Sequence, residues 1–323
     1  MRRNNLSESI FISVGSINAD FQFEVSQDFS KGGTLSAEGF VQRAGGKGAN
    51  RAYFARRLDL QATLIGCVGD DHFAEQALAP LRQAGTDLKA VTVRQGAATG
   101  VSMIAVPVNG AKTILLAANA NQDWDRAALG ALSSAIEQAP DKSVLALDFE
   151  ISRAAVEIAL EAAASRAFRV IADGSFGENV RPDDLARLYA IAPNVDEAAA
   201  IAQMNIHSDA DAERAARKIS DGGTTIVSIK LSDGGCLLVH DGQIQRIAAP
   251  VAEVVDKTGA GDAFTAALAV ALMENRSASE AATWGVAAST LAVAAKGSQE
   301  AYPLRLDLEH MVEKVRALCA GMR

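Results

Sequence analysis

Residues 256–264 read Asp-Lys-Thr-Gly-Ala-Gly-Asp-Ala-Phe, a glycine-rich turn that leads directly into an alanine-rich, apolar helix pattern. The start of a helix leaves backbone N–H groups without intrahelical partners and carries a partial positive charge, so such a turn suits a bound phosphate. Asp262 adds a carboxylate beside that phosphate. It could accept the proton of a hydroxyl that attacks a phosphoryl group, while the N–H cluster neutralises the developing charge. The alternative is that Asp262 only caps the helix.

The composition is that of a globular chain, with 49% hydrophobic and 22% charged residues over 323 positions. Its aliphatic excess over aromatic residues favours helices packed on a sheet. The formal net charge is −8 and contains no basic run, so we expect neither nucleic acid nor an anionic membrane as a partner. A small-molecule partner is expected instead.

The cysteines and histidines suggest no metal centre and no disulfide framework. Three cysteines, far apart and without a C-x-x-C pair, indicate buried or idle thiols, and the four histidines lack ligand spacing. The polar residues 1–9 run directly into a strand pattern and leave no room for a signal peptide. Apolar stretches are far shorter than the roughly 20 residues that cross a bilayer. We therefore expect a cytoplasmic protein.

Two segments alternate like short antiparallel strands and interrupt an otherwise helical and strand-forming chain. One runs from Phe21 to Arg43 around the turn Lys31–Thr34, and the other lies at about residues 99–117 around Asn109-Gly110. These strands fit poorly into a parallel, helix-covered sheet. They predict a small separate β-sheet, a lid that excludes water from one edge of the main body.

The remaining pattern alternates strands and helices. Strands are predicted at residues 10–14, 62–68, 143–147, 168–172 and 224–229, with helices at 48–58, 73–84, 126–137, 153–165 and 209–220. A hairpin follows at 235–248, and helices at 260–274, 278–295 and 307–318 complete the chain. The prediction is an α/β fold with a Rossmann-like, mostly parallel sheet flanked by helices. Polar side chains just after the first strand, Asn18 and Asp20, lie where ligands collect in such folds.

A second glycine cluster, Ala-Gly-Gly-Lys-Gly-Ala-Asn at 44–50, lies where a lid strand ends and a helix begins. Its adjacent glycines permit close backbone approach, and Lys47 and Asn50 offer hydrogen bonds to a polyhydroxylated ligand or an anion. It lacks the Ser or Thr that a Walker A loop requires and the last glycine of a dinucleotide fingerprint. Both of those nucleotide motifs are therefore disfavoured.

Five motifs in order resemble those of the ribokinase (PfkB) family of sugar kinases. They are Gly-Ser-Ile-Asn-Ala-Asp at 15–20, Gly-Gly-Lys-Gly-Ala-Asn at 45–50, Val-Gly-Asp-Asp at 68–71, Pro-Asn-Val-Asp-Glu-Ala at 193–198 and the turn at 256–262. The resemblance covers a single kinase domain over residues 10–315, with lid strands at about 21–43 and 99–117 and terminal segments 1–9 and 316–323. It implies an ATP-dependent kinase that phosphorylates a primary hydroxyl of a sugar, with D-ribose as the favoured acceptor.

The same resemblance assigns roles to individual residues. Asp262 is the base, and the backbone of Gly259, Ala260 and Gly261 forms the anion hole. The predicted sugar contacts are Asn18, Asp20, Gly46, Lys47, Asn50 and Glu150. Each has a structural alternative, because Asn18 and Asp20 could form a turn, Lys47 could be a solvated amine and Glu150 could cap a helix.

For the nucleotide, the family's N-x-x-E element matches Asn194 and Glu197, which would organise phosphate, water and Mg²⁺ or serve only as a helix cap. The other residues predicted to contact ATP are Ile229, Lys230, Ser232, Gly234 and Val286. Many relatives hold a monovalent cation beside the anion hole. Potassium there is a hypothesis, and the matching positions are Asp256, Thr258, Ala292, Ala295, Gly297 and Ala301.

Other functions remain open at this point. A nucleoside kinase or another carbohydrate kinase would share all the catalytic motifs, and a non-catalytic sugar-binding regulator would keep the fold but would have no physical need for both Asp262 and the anion hole. A dehydrogenase is disfavoured, because the chain lacks the glycine fingerprint that binds a dinucleotide cofactor. The lid face could pair with a copy of itself, so we expect a homodimer through the lid.

Overall fold

The structure is a computed structural model of the 323-residue chain and describes residues 9–25, 34, 36–107 and 113–321. The predicted lid turn at Lys31–Thr34 falls largely outside the described residues, as does the Asn109-Gly110 turn. So do residues 1–8 and 322–323. Among the described residues, no helix combines the length and the apolar character needed to cross a membrane.

The main body is built on a nine-stranded sheet whose order is β13-β12-β11-β10-β9-β8-β1-β4-β5. The strands from β11 to β5 are parallel, and the hairpin β12–β13 adds an antiparallel edge. The strands are β1 Phe11–Val14, β4 Ala62–Gly69, β5 Asp87–Arg94, β8 Val144–Leu147, β9 Arg169–Asp173, β10 Ala190–Ala192, β11 Ile226–Lys230, β12 Cys236–His240 and β13 Gln243–Ile247.

Helices cover both faces of this sheet. They are α1 Lys47–Arg57, α2 His72–Gln83, α3 Arg126–Glu137, α4 Arg153–Ser165, α5 Pro182–Leu185, α6 Val195–Ala202, α7 Asp209–Asp221, α8 Ala260–Met273, α9 Ala278–Ala292 and α10 Arg305–Gly321. Successive residues of β1 point to opposite faces: Phe11 packs in the core beneath α1, α8 and α9, and Ile12 packs in the core beneath α3, α4 and α7. Burial on both faces explains why the strands are apolar runs rather than alternating ones.

A separate four-stranded sheet lies beside the main body, with the order β3-β2-β6-β7. Its strands are β2 Asn18–Val25, β3 Ala37–Gly45, β6 Gly100–Pro107 and β7 Thr113–Ala117. The predicted fold class is therefore confirmed: a mostly parallel, helix-flanked sheet with a second small sheet. This lid sheet is mixed, since β2 pairs with β6 in parallel and with β3 antiparallel.

Sequence patterns missed three short or half-exposed elements, β5, β10 and α5, and indicated α6 only as a possible helix start at Asn194. The strand β10 has only three residues, and β5 is an edge strand in which no residue is fully buried, so neither shows a distinctive apolar period. α10 also extends to Gly321, past the predicted helix end at residue 318. None of these differences changes the position of the predicted site.

Candidate active site

The glycine-rich turn leads into α8, as predicted, and Asp262 lies in the first turn of that helix. Gly259 precedes the helix with φ +74°, a left-handed conformation that favours glycine. A Cβ at this position would lie 2.7 Å from both Ser298 Cβ and the Tyr302 hydroxyl. The Tyr302 hydroxyl also donates a hydrogen bond to the Gly259 carbonyl at 3.1 Å. The turn is thus held closely against the segment that follows α9.

The backbone amides of this turn can bind an anion, because the first N–H groups of a helix have no intrahelical acceptors. Gly259, Ala260 and Gly261 precede the point at which α8 supplies intrahelical acceptors. The Ala260 amide makes one long bond, 3.4 Å, to the carbonyl of Lys257. The ammonium of Lys230 borders the same turn, because a Cβ on Gly261 would lie 3.3 Å from Lys230 Nζ. The turn therefore combines a helix start with a nearby cation.

Asp262 lies in the first turn of α8 and is only 5% exposed. Its Oδ2 accepts a hydrogen bond from Asn50 Nδ2 at 2.7 Å. Its Oδ1 has no hydrogen-bond partner within the described part of the chain and lies 3.7 Å from Lys47 Nζ. One carboxylate oxygen is thus fixed in place, while the other keeps its lone pairs for a proton.

The 44–50 cluster positions the groups that face Asp262. Gly46 has φ +90°, and a Cβ there would lie 2.5 Å from the carbonyl oxygen of Ser16, so the loop closes tightly on the end of β1. Lys47 begins α1, and its amide donates to Ser16 Oγ at 2.9 Å. Asn50 is 4% exposed and lies one turn further along the same helix. Lys47 and Asn50 therefore both reach Asp262.

Two lysines share one buried carboxylate at the end of β9. Lys47 Nζ and Lys230 Nζ each lie 3.4 Å from Asp173, whose side chain has no exposed surface. Burial alone would raise the pKa of Asp173, but Lys230 and Lys47 hold it well below its usual range. Burial would likewise lower the pKa of Lys47, but Asp173 and Asp262 raise it well above the ordinary value. The Asp173 carboxylate is therefore held between two lysine side chains that are 24% and 15% exposed.

Asp173 was not anticipated from the sequence. It also accepts hydrogen bonds from Thr265 Oγ1 at 3.1 Å and from the Ser175 amide at 3.1 Å. It lies at the carboxyl end of a parallel strand, which is where site residues gather in open α/β sheets. That position was the signal in the sequence that could have revealed it.

The predicted sugar-binding residues of the lid lie at the start of β2. Asn18 is 3% exposed and accepts a hydrogen bond from Asn121 Nδ2 at 2.8 Å. Asn121 also accepts a hydrogen bond from the Ile17 amide at 2.9 Å, so a residue absent from the sequence prediction orients Asn18. Asp20 is 7% exposed and lies opposite Arg43 in the pairing of β2 with β3.

Glu150 faces the same cleft from the loop after β8. Its Oε2 accepts a hydrogen bond from Ser16 Oγ at 2.7 Å, and that hydroxyl in turn accepts the Lys47 amide. Burial raises the pKa of Glu150 to about 7, with Lys47 lowering it and Asp148 raising it. A carboxyl group whose pKa is raised well above its ordinary value by burial thus lies beside the predicted sugar-binding residues.

A fully buried ion pair supports the floor of the cleft. Arg51 donates to Asp148 at 2.7 Å, and neither side chain has any exposed surface. Asp148 in turn accepts the Ser16 amide at 3.2 Å and the Glu150 amide at 3.1 Å. The pair therefore connects α1 to the loops that hold Ser16 and Glu150, and neither partner was predicted from the sequence.

Asn194 and Glu197 form a reciprocal capping box at the start of α6. Asn194 Oδ1 accepts the Glu197 amide at 2.9 Å, and Glu197 Oε2 accepts the Asn194 amide at 2.7 Å. The structural alternative of a helix cap is thus present. The same Oε2 lies 3.9 Å from Lys230 Nζ, so the box also borders the two-lysine centre. A role at the nucleotide stays a prediction.

The other predicted nucleotide residues divide into two groups. Ser232 and Gly234 are exposed in the turn after β11, close in sequence to Lys230. Ile229 and Val286 have no exposed surface and pack within the core, so their burial does not favour the predicted contact with ATP.

Asp256 joins two of the other predicted cation positions, Thr258 and Gly297. Its Oδ1 accepts the Thr258 amide at 2.9 Å, and its Oδ2 accepts the Gly297 amide at 3.1 Å, which joins the turn before α8 to the segment after α9. Ala292 ends α9, and its carbonyl accepts the Ala295 amide at 3.4 Å, while Ala301 lies in a short 3-10 turn nearby. Within the described ranges, no group of three or more His, Cys, Asp or Glu side chains is arranged to hold a metal.

The chain is similar to known sugar kinases over most of its length. The family model described as pfkB family carbohydrate kinase matches residues 11–305. Ribokinase of Haemophilus influenzae is 28% identical over 93% of this chain and 97% of its own, and deoxyribokinase of Salmonella typhimurium is 27% identical over 90% and 94%. The structure of Arabidopsis thaliana ribokinase with ribose and ATP superposes with a TM-score of 0.82 at 27% identity, over 94% of this chain and 99% of that one.

The two-sheet architecture is thus that of the ribokinase-like kinases. The chain belongs to the pfkB family of carbohydrate kinases, and it is a kinase whose phosphoryl acceptor is a sugar hydroxyl.

Proposed function

We propose that this enzyme transfers the γ-phosphoryl group of ATP to the primary hydroxyl of D-ribose, with Asp262 as the base. The observation that carries the proposal is the state of the Asp262 carboxylate. It is buried at the start of α8, with Oδ2 held by Asn50 and with Oδ1 left without a hydrogen-bond partner among the residues described. D-Ribose is favoured because a similar structure contains ribose and ATP and a similar sequence is a ribokinase.

In this mechanism the sugar hydroxyl approaches Asp262 Oδ1 and passes its proton to it as the oxygen attacks the γ-phosphorus. The bond between that phosphorus and the bridging oxygen of ATP breaks, and ADP leaves with the electron pair. The amides of Gly259 to Gly261 and the positive end of α8 stabilise the negative charge that spreads over the phosphoryl oxygens. Lys47 and Lys230 add two positive charges in the same protected cleft. A protected site makes these charges more effective than they would be in water.

ATP would arrive with Mg²⁺, which neutralises charge on its phosphates when bound. The side chain of Glu197 is 17% exposed and borders Lys230, so it could act on the ion through water, as Mg²⁺ allows. For a monovalent cation, the donor set would be Asp256 with the carbonyls of the 292–301 segment. Oxygen donors of this kind suit potassium, and a rate in potassium buffer no higher than in sodium buffer would refute its activation of the enzyme.

The lid sheet offers an apolar outer surface to a second copy of the chain. Phe40, Met103 and Leu115 are 52%, 49% and 57% exposed on three of its strands. Exposed large apolar groups in one layer are typical of an interaction surface. We therefore propose a homodimer through the lid, acting in the cytoplasm.

The test of the proposed function is an acceptor panel with the purified chain, ATP and Mg²⁺. ADP release is measured with D-ribose, 2-deoxy-D-ribose, D-fructose, adenosine and inosine, and the product is located by ³¹P NMR. We expect the highest kcat/KM with D-ribose and a phosphate on its primary hydroxyl. The similarity to a deoxyribokinase makes 2-deoxy-D-ribose the competing acceptor. A higher kcat/KM for any other acceptor would replace D-ribose, and no ADP release with any sugar would refute the assignment of Asp262.

A further inference from the structure

A chain of side-chain hydrogen bonds leads from the base to a residue that has no role in the proposal above. Gln299 Nε2 donates to Asn50 Oδ1 at 3.1 Å, and Asn50 Nδ2 donates to Asp262 Oδ2 at 2.7 Å. All three side chains are buried: Gln299 is 3% exposed, Asn50 is 4% and Asp262 is 5%. The chain therefore runs through the protein interior, where water does not compete for its bonds.

The direction of these bonds follows from chemistry. An ionised carboxylate only accepts, so the Asn50 amide must turn its NH₂ group towards Asp262. Its carbonyl oxygen then faces the opposite way, towards position 299. A donor at 299 satisfies that oxygen, whereas an acceptor there would favour the reversed amide, which would point an oxygen at Asp262.

Gln299 is held in place to act as that donor. Its neighbour Ser298 contacts the carbonyl of Ala44 at 3.5 Å, and the Gly297 amide is bound by Asp256. Its own Oε1 has no hydrogen-bond partner in the described part of the chain. A buried amide with one unsatisfied atom lowers the stability of the fold. A role for the bond from Gln299 Nε2 to Asn50 would explain why a glutamine occupies this position.

We infer that Gln299 is a positioning residue: it fixes the amide orientation of Asn50 so that Asn50 holds the Asp262 carboxylate ready for the sugar proton. The inference rests on the proposed role of Asp262 as the base. Gln299 itself contacts neither substrate in this arrangement and acts only through Asn50.

The test compares two substitutions of similar size. Gln299→Glu replaces the NH₂ donor by an oxygen, and Gln299→Met removes hydrogen bonding. The bond from Asn50 to the Asp262 carboxylate, which a reversed Asn50 amide would lose, is a bond to a charged group and is worth about 10- to 100-fold in an equilibrium or rate. We expect kcat to fall by about that factor in Gln299→Glu and by about 3- to 10-fold in Gln299→Met, with KM for ATP changed less than about twofold. Gln243→Glu, at an exposed position in β13, is the matched control for the change of charge.

A double-mutant cycle separates positioning from a structural role. If Gln299 acts only through Asn50, then Gln299→Met adds no further loss of kcat in an Asn50→Ala background. Equal fractional losses in both backgrounds would overturn the inference, as would unchanged kcat in Gln299→Glu. The cycle uses whichever sugar the wild-type enzyme phosphorylates, so a wrong choice of D-ribose does not affect it.

A measurement that needs no turnover completes the test. The side-chain NH₂ resonances of Asn50 in ¹⁵N-labelled protein are identified by their loss in Asn50→Ala. We expect them to shift in Gln299→Glu and Gln299→Met and to stay in place in Gln243→Glu. Resonances that stay in place in all three variants would overturn the inference, even for a chain in which the kinase proposal itself had failed.

Discussion

Asp262→Asn removes the proposed base with the least possible change in shape. The side chain is 5% exposed, so a change in volume would disturb its neighbours, but asparagine has the size of aspartate. The amide oxygen can keep the 2.7 Å bond from Asn50. The NH₂ group then takes the place of Oδ1, 3.7 Å from Lys47 Nζ, and it cannot accept a proton from the sugar.

The expected loss is much larger than a rearranged hydrogen bond would cause. Removing a positioned base costs about 10²–10⁴ in rate, or about 2.7–5.4 kcal/mol at 1.36 kcal/mol per tenfold. A neutral hydrogen bond contributes only about 0.5–1.5 kcal/mol. ATP affinity should be kept or increased, because the substitution removes a negative charge beside the phosphates.

The assay measures kcat by coupled ADP release, ATP and sugar affinity by calorimetry, and folding by thermal denaturation. Asp196→Asn, an exposed change in the first turn of α6, is the control. A kcat for Asp262→Asn within tenfold of the wild-type value would refute the assignment of the base. A parallel loss of ATP affinity and thermal stability would show instead that Asp262 supports the fold.

Three further perturbations test other parts of the structure. Burial raises the pKa of Glu150 to about 7, above its unfolded value of about 4.5, so the folded chain loses stability as pH rises from about 4.5 through 7. The thermal stability of Glu150→Gln relative to wild type should therefore increase between pH 5 and pH 8. A difference in melting temperature that stays constant over this range would contradict the argument. Gly259→Ala should lower the free energy of unfolding in urea by about 1–3 kcal/mol, because residue 259 has a positive φ and its new Cβ would lie 2.7 Å from Ser298. Gly130→Ala, in open space within α3, should raise that free energy by about 0.5–1 kcal/mol. Equal effects of the two substitutions would contradict the strain argument. Leu115→Glu should convert the proposed lid dimer to a monomer in sedimentation velocity. A wild-type chain that already sediments as a monomer would refute the proposed dimer.

Local signals in the sequence predicted most of the elements. The bounds of α3 and α4 agree with prediction because each helix has its own N-cap, Asp125 and Ser152, followed by an apolar stripe at helical spacing. The glycine turns were equally local, since Gly46 and Gly259 adopt backbone conformations that few other residues accept. The strand β10 was missed because three residues are too short to show a period.

The amino-acid sequence by itself determined where most of the helices and strands form, which residues could bind a phosphate and which carboxylate could take a proton. Only the tertiary structure decided which side chains serve that carboxylate. Asn50 reaches Asp262 across 212 positions of the chain, and Gln299 reaches Asn50 across 249. Asp173 becomes the shared partner of two lysines only once β9 and β11 lie in one sheet. Hydrogen bonds and charge pairs act over a few ångströms, so their partners depend on packing that no local pattern contains.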